Sequence, residues 1–148
     1  MKLPVDLFVQ GISERKIYYF SSDQINSLEK HHFVCIKRTE EDILILSCCT
    51  SQFETVKRFV ESRSLPYETL VYIPPNGEDT PFVLQTFINC NQYFTYTIDE
   101  FVSMYESGSI SHSGIIPEGI YSQIMVGVQR SPLIDNETKA IIATVNCL

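Results

Sequence analysis

The chain has no apolar run near the roughly 20 residues that cross a bilayer as a helix, so no membrane partner is expected. Its opening, residues 1–8, lacks the basic flank and long apolar stretch of a secretory signal, and a cytoplasmic location is expected. There is no glycine-rich phosphate loop of Walker or Rossmann type, no internal repeat, no low-complexity tract and no linker. Positive charge is scarce: 11 Lys and Arg face 18 Asp and Glu, a formal net charge of −7. That balance counts against nucleic-acid binding through a broad basic surface, which needs many phosphate contacts. It leaves room for a small catalytic pocket, and it would suit a basic partner.

Metal-binding patterns are also missing. The five cysteines, Cys35, Cys48, Cys49, Cys90 and Cys147, show no C-x-x-C spacing. Cys48 and Cys49 are neighbours that a strand would point to opposite faces, so neither a disulfide framework nor a zinc cage is expected. They read as reduced, mostly buried thiols; the other reading is a reactive cysteine whose pKa falls beside His31 or His32. No motif joins His31, His32 and His112, and adjacent histidines on a strand diverge, so neither a metal nor a cofactor is expected.

What is present fits one folded domain over residues 1–148. Apolar residues make up 44% and charged residues 20%, far from the composition of a disordered chain. The expected class is α+β, strand-rich in the first half and helix-rich in the second. After an ambiguous apolar piece at residues 3–9, Lys16–Phe20 reads as a strand and residues 21–30 as a loop. Residues 32–38 and 43–49 are β-branched and apolar runs around the polar stretch Thr39, Glu40, Glu41 and Asp42, which predicts an antiparallel hairpin with a solvated acidic turn.

Ser51 and Glu54 have capping-box spacing, ahead of Phe53, Val56, Phe59 and Val60 on one helical face. Residues 64–66 end that helix, and residues 69–73 read as a strand. A proline, glycine and acid-rich loop, residues 74–79, is expected to be exposed before residues 86–90 resume a strand. Thr97 and Glu100 form a second capping box before Ile98, Phe101, Val102 and Tyr105, with Gly108 as terminator. Pro117 suits a first helical turn, Ile120, Ile124 and Val128 follow at spacings of four, and Pro132 stops the run. Asp135 would cap a last helix carrying Ile141, Ile142 and Val145.

Chemistry concentrates at the open end of the hairpin. Folding it symmetrically, over a turn of two or four residues, sets Arg38 opposite Ile43, Ile36 opposite Ile45, Val34 opposite Ser47, His32 opposite Cys49 and His31 opposite Thr50. Opposed Cβ atoms lie about 5 Å apart, which brings an imidazole to a hydroxyl. Thr50 also precedes the Ser51 helix start, where free amides favour an anion. By alternation Lys37 shares a face with His31 and would hold phosphate or lie in solvent. The plainer reading makes Ser51 only a cap, Thr50 a strand end and the histidines solvated. Tyr93, Phe94 and Tyr96 read either as core or as a stacking platform for RNA bases.

His31-His32-Phe33-Val34-Cys35-Ile36, followed by Ile43-Leu44-Ile45-Leu46 running into Thr50-Ser51, resembles the core of the MazF-like, Kid-like and PemK-like toxins. In that family an Arg-Pro pair opens an apolar strand and a Thr-Ser pair closes the next. Thr86-Phe87-Ile88-Asn89-Cys90-Asn91-Gln92 is similar to the family strand that begins with Ser and ends near Asp-Gln. Gly108-Ser109-Ile110-Ser111, with the helix around Ile120 and Val128, resembles its Gly-x-Leu turn and closing helix. The likeness spans residues 30–130.

The resemblance implies a small antiparallel SH3-like β-barrel, or a strongly curved sheet, with several appended helices. It implies a cytoplasmic, metal-independent endoribonuclease of a toxin–antitoxin pair, a homodimer whose partners are single-stranded RNA and an antitoxin-like protein. In the implied reaction the ribose 2′-hydroxyl attacks its own phosphate. Thr50 matches the family threonine, and His31-His32 stand where the family has Arg-Pro. Either histidine replaces arginine as general acid or base, or the chain binds without cutting. On the first reading His31 and Thr50 are catalytic and His32, Lys37 and Ser51 bind substrate. On the alternative, a non-catalytic interaction module uses residues 74–81 or exposed helix faces to hold a protein.

Overall fold

The structure, a computed structural model, describes residues 2–144. Met1, Val145 and Cys147 lie outside the described residues. The ambiguous apolar start is a helix, α1 (Val5–Gly11), and β1 (Lys16–Phe20) has the expected bounds. β2 (His31–Arg38) and β3 (Ile43–Thr50) form the expected hairpin and lead to α2 (Phe53–Ser62). A 3₁₀ turn, Tyr67–Thr69, precedes β4 (Leu70–Ile73), and β5 (Thr86–Asn89) follows the long loop. Then come β6 (Phe94–Thr97), α3 (Ile98–Glu106), β7 (Ile110–Ile115), α4 (Glu118–Arg130) and α5 (Asn136–Ala143). The class is α+β. The expected bias of the halves is seen: β1 to β4 outweigh α1 and α2 in the first half, and α3 to α5 outweigh β5 to β7 in the second.

All pairings are antiparallel, in the order β4-β5-β3-β2-β1-β7, with β6 also on β3. One edge of β3 is divided: Ile43 to Leu46 pair with β6, whereas Cys49 and Thr50 pair with Ile88 and Phe87 of β5. The sheet therefore turns along β3 into two ladders that share this strand. Among the described residues no ladder joins its ends, so it is not a closed barrel.

Both faces of the sheet are covered, which is why β2 and β3 read as continuous apolar runs rather than alternating ones. One face carries Val34, Ile36 and Ile45 against Ile124 and Val128 of α4 and Ile142 of α5. The other carries Phe33, Cys35, Leu44 and Leu46 against Phe8 of α1 and Phe101 of α3. Thr97 and Glu100 close the expected capping box: the Glu100 amide donates to Thr97 Oγ1 at 3.1 Å, and the Thr97 amide to Glu100 Oε1 at 2.9 Å. Asp135 caps α5 as expected, accepting the Thr138 amide at 2.9 Å. Pro117 is the residue before α4 rather than inside its first turn.

The hairpin corrects the symmetric register. Thr39 N–H donates to the Ile43 carbonyl, and Asp42 adopts φ +60°, so the loop holds three residues, not two or four. An odd loop moves every pair by one: Arg38 faces Leu44, and Lys37 faces Ile45. A bulge at Ile36 then restores the expected pairs Cys35 with Leu46, Val34 with Ser47 and Phe33 with Cys48. Backbone groups freed there are met from outside, since Tyr121 Oη donates to the Ile36 carbonyl at 2.9 Å and the Arg15 amide to the Cys35 carbonyl at 2.8 Å. Arg38 donates to the Val9 and Ile12 carbonyls at 2.6 and 2.9 Å, tying the end of α1 to the sheet.

Candidate functional site

At the open end of the hairpin an open cleft of about 360 Å³ is lined by His31, His32, Thr50 and Ser51 together. The start of β2 supplies the histidines. The end of β3 and its turn into α2 supply Thr50, Ser51 and Gln52. The opposite wall is Pro81 to Leu84, followed by Thr86 at the start of β5. Pairing between β2 and β3 ends at Phe33 with Cys48, and His31 and Thr50 each lie two residues further on, on facing sides of the cleft mouth.

His31 Nδ1 lies 3.1 Å from the Glu29 carbonyl. A carbonyl oxygen can only accept, so Nδ1 carries the proton and, in the neutral ring, Nε2 keeps the lone pair that a base needs. Thr50 Oγ1 accepts the Gln52 amide at 3.0 Å. With an acceptor site thus engaged, its own O–H remains free to donate to an anion.

Ser51 does not make the expected capping box. Thr50 is held in the strand by its pairing with Phe87, so α2 starts one residue late, with Gln52 at its N-cap and no side-chain cap. Ser51 is exposed, and its carbonyl accepts the Phe53 amide at 3.0 Å.

His32 is packed between rings, 4.4 Å from Tyr19 and 5.3 Å from Phe82 between centroids. Burial, helped by His31 next to it, holds its pKa below the usual 6.5, so the ring is neutral at pH 7. Its contribution to the cleft is shape rather than charge.

Lys37 is not brought to the cleft. The bulge turns it to the face of Ile45, where it is buried and its ammonium donates to the Thr144 carbonyl after α5. It lines a different pocket of about 380 Å³, with Ile43, Ile45, Tyr93 and Ile141. Tyr96 is buried, and Tyr93 and Phe94 pack against the two cores, in line with the core reading of these aromatics.

Several cleft residues are not singled out by the sequence. Lys30, next to His31, contributes a cation and lies 5.7 Å over the Tyr19 ring. The apolar run Phe82-Val83-Leu84 after the acidic loop is a local signal for a wall, but what it faces depends on distant pairing. The thiols are poor nucleophiles: burial pushes Cys48 up to about 12 and Cys49 well above its usual range. Among the described residues no cluster of His, Cys, Asp and Glu could hold a metal ion. No helix among them is long and apolar enough to cross a membrane. No family model matches the chain, and no curated protein matches it either.

Proposed function

We propose that the chain is a MazF-like, metal-independent endoribonuclease acting on single-stranded RNA, with the cleft at the end of β2 and β3 as its active site. The observation that carries this reading is the meeting of His31, Thr50 and Ser51 in one open cleft. Nε2 of neutral His31 takes the proton from the ribose 2′-hydroxyl. The resulting alkoxide attacks the adjacent phosphorus, a 2′,3′-cyclic phosphate forms, and the P–O5′ bond breaks. The leaving 5′-oxygen takes up a proton, from protonated His31 or from water. The Thr50 hydroxyl donates to a non-bridging oxygen where negative charge builds, and Ser51 and Lys30 flank it. His32 keeps the wall in place through Tyr19 and Phe82. The bending of the sheet along β3 supports a partly open SH3-like barrel as the fold behind this site.

Incubating the protein with mixed single-stranded RNA, with and without chelator, tests the reading. Cleavage indifferent to chelator is expected, falling about 10²–10⁴-fold in His31→Ala. Thr50→Ala should also lose most of the activity. Intact RNA with the unaltered protein overturns the proposal.

A second reading draws on exposed apolar residues at the cleft rim, Val83 at 74% and Leu84 at 63%. Such a rim suits a protein that caps the site, as an antitoxin-like partner would, or a second copy of the chain in a homodimer. Recovery of a stoichiometric partner whose binding ignores His31→Ala but not Val83→Asp, without any RNA cleavage, would favour an interaction module on the same fold.

A further inference from the structure

The pairing of β3, β5 and β4 builds a row of side chains that leads away from the cleft. Thr50 is opposite Phe87, and Phe87 is opposite Tyr72. Directly opposed residues share a face, and strands lie about 4.8 Å apart, so Tyr72 stands roughly 10 Å from Thr50 along the row. Phe53, three residues beyond Thr50 at the start of α2, stacks over the same row. Its ring is 4.8 Å from Phe87, and Phe87 is 5.4 Å from Tyr72, both tilted at about 40° or less.

Phe87 is buried beneath, whereas Phe53 is 38% and Tyr72 42% exposed. The Tyr72 hydroxyl makes no hydrogen bond among the described residues. Lys57 Nζ lies 5.7 Å from the Phe53 ring, and the neighbouring Arg58 is exposed.

We propose that Phe53 and Tyr72, set over Phe87, form a base-stacking subsite for a nucleotide flanking the phosphate held at Thr50. The inference rests on the RNA-cleavage reading of the cleft and adds to it how the substrate is gripped. A chain of net charge −7, with 11 Lys and Arg in all, has few cations to spend on phosphate neutralisation. Stacking carries no such requirement and accepts any base, because every base has a π-face. Beside Phe53, Lys57 pairs with Glu61 at 3.9 Å and Arg58 is exposed, so the surface next to the rings carries both signs and the grip is assigned to the rings.

The test uses the full chain and a short single-stranded RNA whose cleavage position is first mapped with the unaltered protein. Binding is then read by fluorescence anisotropy on the same RNA with a 2′-deoxy nucleotide at that position. The double variant Phe53→Leu with Tyr72→Leu keeps apolar bulk for packing α2. It should raise Kd and KM about tenfold or more while leaving kcat within about twofold. With the unaltered protein, an abasic nucleotide scanned through the RNA should cause the same loss at one flanking position. The double variant should show no further loss there.

If the variant cleaves with unchanged KM, or no abasic position weakens binding, the subsite is refuted and the cleavage reading stands. If the unaltered protein neither binds nor cuts RNA, both fall. If the variant loses a co-purifying protein while its RNA constants stay unchanged, the rings are a protein-docking surface and the subsite is likewise refuted.

Discussion

Gly114 of β7 lies so close to Asp79 that a Cβ built on it would overlap the Asp79 carbonyl oxygen, with Pro81 Cδ 3.2 Å away. The next residue makes the contact a bond, since the Ile115 amide donates to that carbonyl at 2.9 Å. Through this latch the acidic loop, exposed as expected, is also pinned at Asp79 to the far edge strand. It then returns as Pro81 to Leu84, the wall of the cleft.

Gly114→Ala should therefore release the loop. Gly114 has φ +154°, where a side chain is strained, and the overlap with backbone adds to that. A loss of about 1–3 kcal/mol is expected. Gly108→Ala is the control, at φ +75° with nothing within 4 Å of its Cβ, and should cost about 1–2 kcal/mol through backbone strain alone. Urea midpoints and limited proteolysis separate the two. New cutting within residues 74–85 in Gly114→Ala only is the expected pattern, and equal protection in both variants would show the latch to be idle.

Two sequence motifs of the same form predict opposite outcomes. Thr97 and Glu100 make their reciprocal bonds, so Thr97→Ala should cost about 1 kcal/mol in chemical denaturation. Ser51 and Glu54 make none, and Ser51→Ala should change stability by less than about 0.5 kcal/mol. A large loss in Ser51→Ala would mean that the serine caps α2 after all.

That contrast shows where sequence reading stops. Local signals placed β1, the hairpin strands, α3 and α5, because apolar runs and caps act over a few residues. Whether Ser51 caps depends on Phe87, which pairs with Thr50 from 37 positions away in the chain. β6 has only four residues, and β7 reads Ile-Ser-His-Ser-Gly-Ile on an edge, so neither shows the apolar density of a central strand. The meeting of His31, Thr50 and Ser51 was legible because the bulge at Ile36 cancels the shift introduced by the three-residue turn. Lys37 lies between turn and bulge, inside the displaced stretch, and its face was not legible for the same reason.

Lys37 gives the third prediction. It is 6% exposed, and its ammonium sits on the Thr144 carbonyl beyond the last turn of α5, where a cation meets the negative end of the helix. Lys37→Met keeps most of the buried stem and forfeits the bond, at about 1 kcal/mol. Lys37→Ala also empties the space, and about 2–3 kcal/mol is expected. Neither should alter RNA cleavage per folded molecule, because the residue is remote from the cleft. A fall in cleavage by Lys37→Met at unchanged stability would restore a phosphate-binding role.

Stability should also depend on pH through His32. Burial and the adjacent His31 lower its pKa in the folded protein, whereas in the unfolded chain it returns to about 6.5. Below that value the unfolded state binds a proton that the folded state resists, so stability falls as pH drops through about 6.5 and is unaffected above it. His112 acts with the same sign, lowered first by burial and then by the charge of Lys16. Asp135 is lowered by its bonds to Thr138, and the stability it brings is lost only under more acid conditions, below the usual carboxylate value of 3.8. Urea midpoints should thus be level from about pH 8 to 7 and decline toward about pH 5.5. His32→Phe preserves a ring between Tyr19 and Phe82 and removes the titrating group, so the decline should become shallower, leaving the share of His112. An unchanged slope in His32→Phe would place the pH dependence elsewhere and would show that the His32 ring protonates in the folded cleft as readily as in the open chain.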